Sequence, residues 1–106
     1  MRLIRILPFA LFLVLSLASF ASVVGSVRGV IHDPQHRPVQ NAMVMIKAKS
    51  SDWSATVNSD ANGNLAFNAV PLGEYVVTVV ALGFEQAQQD VAVLSSTQPI
   101  LHFALK

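Results

Sequence analysis

The chain has 106 residues, with seven Lys or Arg against six Asp or Glu and a formal net charge of +1. Only 12% of the residues are charged, 53% are hydrophobic, and cysteine is absent. That leaves room for one domain, excludes a disulfide scaffold, and offers no Lys/Arg cluster for nucleic acid or an anionic membrane surface.

Arg2 and Arg5 precede an apolar run from Ile6 to Ala18, and small residues follow. A positive start, an apolar middle and a small-residue end make a secretory signal peptide over residues 1–21, followed by a domain over 22–106. Ser19 and Ala21 stand at −3 and −1 of the preferred cleavage point; cleavage after Gly25, with Val23 at −3, is the second choice. The rival reading is an uncleaved membrane anchor, since no charge falls between Ile6 and Val27. Pro8, Ser16, Ser19 and Ser22 weaken the run for that purpose. Removal of Arg2 and Arg5 leaves five basic residues against six acidic ones, a mature net charge of −1. A signal peptide without cysteines fits a periplasm or cell exterior, and the domain must rely on its apolar core alone.

Ser26 to His32 reads as a strand by its alternation, and Asp33-Pro34-Gln35-His36-Arg37-Pro38 as a turn. Ala42 to Ala48 is the next strand, with Ala42, Val44 and Ile46 on one face and Met43, Met45 and Lys47 on the other. After a polar loop ending at Trp53, Ser54 to Asn58 makes a short polar strand at a sheet edge. Asp60 to Asn64 is a tight turn, because Asp and Asn bond their own backbone and Gly63 reaches positive φ cheaply. Strands follow near Leu65–Ala69 and Glu74–Leu82, separated by Pro71-Leu72-Gly73. Gly83 and Phe84 turn the chain towards strands within Glu85–Leu94 and Pro99–Leu105. Seven short strands with regularly spaced turns predict an all-β fold, a seven-stranded antiparallel Greek-key β-sandwich. The expected inward residues are Val27, Ile31, Val44, Ile46, Leu65, Phe67, Tyr75, Val77, Val79, Val91, Val93, Leu101, Phe103 and Leu105.

Two stretches together carry a resemblance. Gly29 to Val44 follows the pattern G-x-V-x-D-x-x-G-x-P-V-x-G-A-x-V, with His36 and Asn41 in place of the two turn glycines. Ser59, Asp60, Gly63, Phe67, Val70, Pro71, Gly73, Tyr75, Val77, Gly83 and Phe84 keep step with T-D-x-x-G-x-F-x-F-x-x-V-P-x-G-x-Y-x-V and a following G-F, with Leu65 for the first aromatic. The chain thus resembles the carboxypeptidase regulatory-like domain, a prealbumin-like sandwich also grouped with carbohydrate-binding folds. The resemblance implies a non-catalytic module with structural turns at Asp60, Gly63, Pro71, Gly73 and Gly83. Because His tolerates left-handed backbone poorly, the first turn is expected to be altered.

Chemical motifs are sparse. His32, Asp33 and His36 lie close together and His102 far off, but Pro34 and the turn argue against the helix that would align the first pair of histidines. The zinc signature His-x-x-Glu of the carboxypeptidases does not occur. Asp60 to Asn64 lacks the glycine and glutamate positions of a calcium loop. No Gly-x-Ser-x-Gly or phosphate loop is present, and the ending Phe103-Ala104-Leu105-Lys106 lacks the Tyr-Arg-Gly-Ser of transthyretin-like hydrolases. No enzyme activity, metal or cofactor is expected.

Two features point to binding. Met43, Met45, Val76, Thr78 and Val80 lie opposite the core on their strands and form a candidate contact face for a protein partner, if those strands are neighbours and no loop covers them. Trp53 is a candidate carbohydrate contact; the plainer reading folds it over the rim of the core. Membrane contact is expected only through an uncleaved N-terminal segment, if at all.

Overall fold

The computed structural model describes residues 24–95 and 97–106. The expected signal peptide, its cleavage point after Ala21 and the rival anchor lie outside the described residues. Seven strands follow one another: β1 (Val24–His32), β2 (Met43–Ala48), β3 (Ser54–Asn58), β4 (Asn64–Pro71), β5 (Gly73–Val80), β6 (Ala87–Val93) and β7 (Ile100–Ala104). They build two packed sheets, one ordered β4-β1-β7 and the other β3-β2-β5-β6.

Every pairing is antiparallel except one. β1 and β7 run parallel, with Gly29 opposite Leu101 and Ile31 opposite Phe103. Alternation places side chains on faces and carries no strand direction, so this pair departs from the antiparallel expectation. The first and last strands have the whole chain as their connection, which is long enough for a parallel crossover.

The core fills from both inner faces. The expected inward residues are buried, except Val91, which is half-buried on the edge strand β6. Full burial of such a side chain contributes about 1.5–3 kcal/mol, and this core serves a domain without disulfides. Val39, Ala42 and Val70 join the core as well. Val70 turns inward because β4 carries a bulge. Gly25 pairs with Val70 and Val27 with Phe67, so β4 spends one extra residue there, and Ala69 takes φ 57°.

Two turns cap neighbouring ends of β1 and β4. In the first, the Asp33 N–H donates to the Arg37 carbonyl (2.9 Å) and the His36 N–H to the Asp33 carbonyl (3.0 Å). Asp33 Oδ1 accepts from the N–H groups of Gln35 and Arg37, each at 2.9 Å. In the second, the Asp60 N–H donates to the Asn64 carbonyl (3.0 Å) and the Gly63 N–H to the Asp60 carbonyl (2.9 Å). Asp60 Oδ1 accepts from Asn62 and Asn64, each at 2.9 Å. His36 has φ 63° and Asn41 φ 61°. Both replacements of the expected glycines therefore keep left-handed backbone, and the first turn is not altered.

Ser59 pins the loop before β2. Its hydroxyl donates to the Val39 carbonyl (2.7 Å) and accepts from the Ala42 N–H (2.9 Å), both buried. Pro71 ends β4 rather than occupying a loop, and its carbonyl accepts from the Tyr75 hydroxyl. Gly73 opens β5, and Gly83 bends the Ala81–Phe84 turn with φ 87°.

Candidate functional site

β2 and β5 are hydrogen-bonded neighbours, which the face reading required. Their register sets Met43 opposite Val80, Met45 opposite Thr78, and Lys47 opposite Val76. Alternation sends all of these to the outer face of the four-stranded sheet. Met43, Met45 and Val80 are exposed by 42%, 36% and 41%; Val76 and Thr78 are half-buried. The five candidate residues therefore form one contiguous patch, open to solvent among the described residues.

The patch has a polar frame. On β3, Asn58, Thr56 and Ser54 stand beside Met43, Met45 and Lys47. On β6, Gln88 and Asp90 stand beside Thr78 and Val76. Gln88 Nε2 donates to Thr78 Oγ1 (3.2 Å), and Lys49 Nζ meets Asp90 Oδ2 at 3.0 Å at the patch's end. An apolar island two strands wide within hydrogen-bonding groups suits a small protein contact. Leu82, beyond the end of β5, is fully exposed in the following turn and does not belong to the island.

Trp53 sits where the rim reading put it. It is half-buried against the core, and its ring meets Tyr75 edge-on with centroids 5.5 Å apart. Burial raises the Tyr75 phenol above its ordinary pKa. None of the exposed large hydrophobic residues is aromatic and Tyr75 is buried, so among the described residues no second exposed ring stands beside Trp53 to extend a sugar platform. An open groove of about 560 Å³ runs from Val57 and Asn58 of β3 over β4 and β1 to Ile100 of β7. Arg28, Asn58, Asp60 and Asn64 contribute to its lining, and no aromatic residue does.

The histidine cluster resolves into turn structure. Two backbone N–H groups and the Arg37 guanidinium engage the Asp33 carboxylate, Nε reaching Oδ2 at 2.8 Å. The hydrogen bond from the Arg37 N–H is the first cause of its lowered pKa; desolvation opposes it, and the Gln35 N–H and the Arg37 side chain add to it. Among the described residues, no three His, Cys, Asp or Glu side chains come together as metal ligands would. Sequence reasoning missed that the two Asp turns share one geometry. The shared signal was an Asp four residues before the turn's end, hidden by His36 standing where Gly63 stands.

Comparison with known proteins supplies the family context. The family model of the carboxypeptidase regulatory-like domain matches residues 26–106. No curated protein matches the sequence. Among solved structures, the major pilin subunit BcpA of Bacillus cereus superposes with a TM-score of 0.66 at 15% identity, over 79% of this chain and 30% of the pilin. A Pseudomonas aeruginosa protein to which carbohydrate binding has been ascribed gives 0.61 at 12% identity, over 76% of this chain and 88% of its own. Catechol 1,2-dioxygenase from an Acinetobacter species gives 0.63 at 10% identity, over 80% of this chain and 53% of the enzyme. The chain thus spans less than a third of the pilin and about half of the dioxygenase. At such identities the likeness is one of fold, and this fold serves both a structural subunit and an enzyme.

Proposed function

The chain belongs to the carboxypeptidase regulatory-like domain family, and from that premise we propose that it is a non-catalytic interaction or structural module, exported through its N-terminal segment to the periplasm, cell surface or medium. The observation that carries the reading is the outer patch of Met43, Met45, Val76, Thr78 and Val80, assembled by the β2·β5 register. Methionines adapt to a partner's shape, and an exposed apolar cluster with a polar frame is the ordinary form of a protein contact. The pilin and the carbohydrate-ascribed neighbour support a non-catalytic role by analogy of fold only.

The test uses the chain with its native N-terminus, tagged at the C-terminus and incubated with envelope and secreted fractions of the source cells. A specific, saturable protein should be captured and identified by mass spectrometry. Met43→Lys combined with Val80→Lys should abolish that capture and leave the melting temperature nearly unchanged, since both residues are exposed. A large loss of stability with capture intact would refute the patch as the contact.

The second reading, a carbohydrate contact through Trp53, has the half-exposed indole in its favour and the lack of a second exposed ring beside it against it. Retention of the wild type on an insoluble polysaccharide, lost in Trp53→Ala at unchanged fold, would bring it forward.

A further inference from the structure

The sandwich has four edge strands, and three of them are guarded. β4 carries Pro71 and the bulge at Ala69, and its Asn64 carbonyl already accepts the Asp60 N–H. β6 and β7 are laced together. Gln89 Nε2 donates to the His102 carbonyl (2.6 Å), and just outside the two strands the Glu85 N–H donates to the Lys106 carbonyl (2.8 Å). Asp90 adds a charge on β6. Prolines, bulges, charges and covering groups are the usual means of blunting an edge.

β3 has none of these. Its sequence is Ser54-Ala55-Thr56-Val57-Asn58, without charge, proline or glycine. Its backbone phase follows from the register. Ala48 donates to the Trp53 carbonyl and Ser59 to the Ala42 carbonyl, so Ile46↔Ala55 and Val44↔Val57 are the hydrogen-bonded pairs with β2. The N–H and C=O groups of Ser54, Thr56 and Asn58 therefore point away from β2, and no backbone bond to them is found among the described residues.

We propose that β3 is a self-pairing edge: two copies of this chain join antiparallel through β3, about a two-fold axis at Thr56. In that register Ser54 faces Asn58 of the second copy, and Thr56 faces Thr56. All three outward backbone positions then find partners at once. Ala55 and Val57, half-buried at the rim of each core, meet their counterparts on the inner side and become more fully buried. Self-complementarity under a two-fold is what a closed dimer interface requires, and a strand with no charge has nothing to repel its own copy. The two four-stranded sheets become one of eight strands, and both outer patches fall on the same side. Five residues a side make a small interface, below about 1,200 Å² in total, the class of weak and transient contacts. The inference is independent of the outer-patch reading, because it uses the edge and not the face.

The experiment is sedimentation of the chain with its native N-terminus from micromolar to about millimolar concentration, where weak dimers populate. The wild type should rise towards twice the monomer mass. Thr56→Lys and Thr56→Glu each set like charges directly opposite across the axis and should each stay monomeric. Their equimolar mixture should recover the doubled mass, which also shows that both variants are folded. Met43→Lys with Val80→Lys should dimerise like the wild type. A wild type that stays monomeric throughout overturns the proposal. So do Thr56 variants that self-associate unchanged, or a mixture of them that recovers nothing.

Discussion

The turn from Asp33 to Arg37 and the turn from Asp60 to Asn64 are closed by the same four hydrogen bonds, yet they demand different things of the residue at their fourth position. Both positions are left-handed, His36 at φ 63° and Gly63 at φ 75°. His36 is exposed, so its side chain has somewhere to go. Gly63 is buried, and a Cβ there would lie 2.5 Å from the Ile31 carbonyl oxygen and 3.2 Å from Pro38. The second turn lies under the chain that leads into and out of the first. One position therefore needs glycine for conformation and for space; the other needs only the conformation. The carboxylates differ in the opposite sense. Asp33 is buried and also bound by Arg37, while Asp60 stands exposed at the surface.

Three substitutions press on this contrast. Gly63→Ala should have the largest effect, because backbone blocks the added carbon and the left-handed strain comes on top. A loss of about 2–4 kcal/mol, read from the shift of a urea transition, is expected. A loss as small as a simple conformational penalty would mean that the two turns do not lean on one another.

Asp33→Asn should have a smaller effect with a distinctive dependence on pH. The folded pKa of Asp33 lies below its unfolded value, so its contribution is full above the unfolded pKa and is lost as pH falls through the folded one. Stability of the wild type and of Asp33→Asn, measured from neutral pH to below about pH 4, should therefore converge on the acid side. Parallel curves would remove the carboxylate's role.

His36→Gly should have the smallest effect and the opposite sign. Relief of left-handed strain should outweigh the entropy that glycine adds to the unfolded chain, for a gain of up to about 1 kcal/mol. A loss on thermal unfolding would show that the His36 side chain does more than occupy solvent.

Much of the fold was legible because one face of most strands is apolar and the other is not. Ser54–Asn58 is found with the bounds that its composition suggested. The pattern misled where the backbone departs from simple alternation. Leu65 and Phe67 would put Ala69 inward next, but the bulge at Ala69 hands that place to Val70. Val39 lay in a stretch read as passage between a turn and a strand, and its N–H in fact bonds the Ile31 carbonyl, which draws it into the core. The outer patch could be named residue by residue, but whether its two halves touched depended on β2 and β5 being neighbours. That is a fact of long-range pairing that no local period encodes. The direction of β7 against β1 was hidden for the same reason.

The parallel pairing of β1 with β7 also sets the order in which the molecule can be finished. As the chain leaves the ribosome from its N-terminus, β2, β3, β5 and β6 can assemble by antiparallel neighbours while β1 still lacks one of its two partners. The three-stranded sheet closes only when residues 100–104 arrive. Contacts between such distant segments are slow to form. The central strand of that sheet is thus among the first parts of the domain to be made and among the last to have both of its neighbours in place.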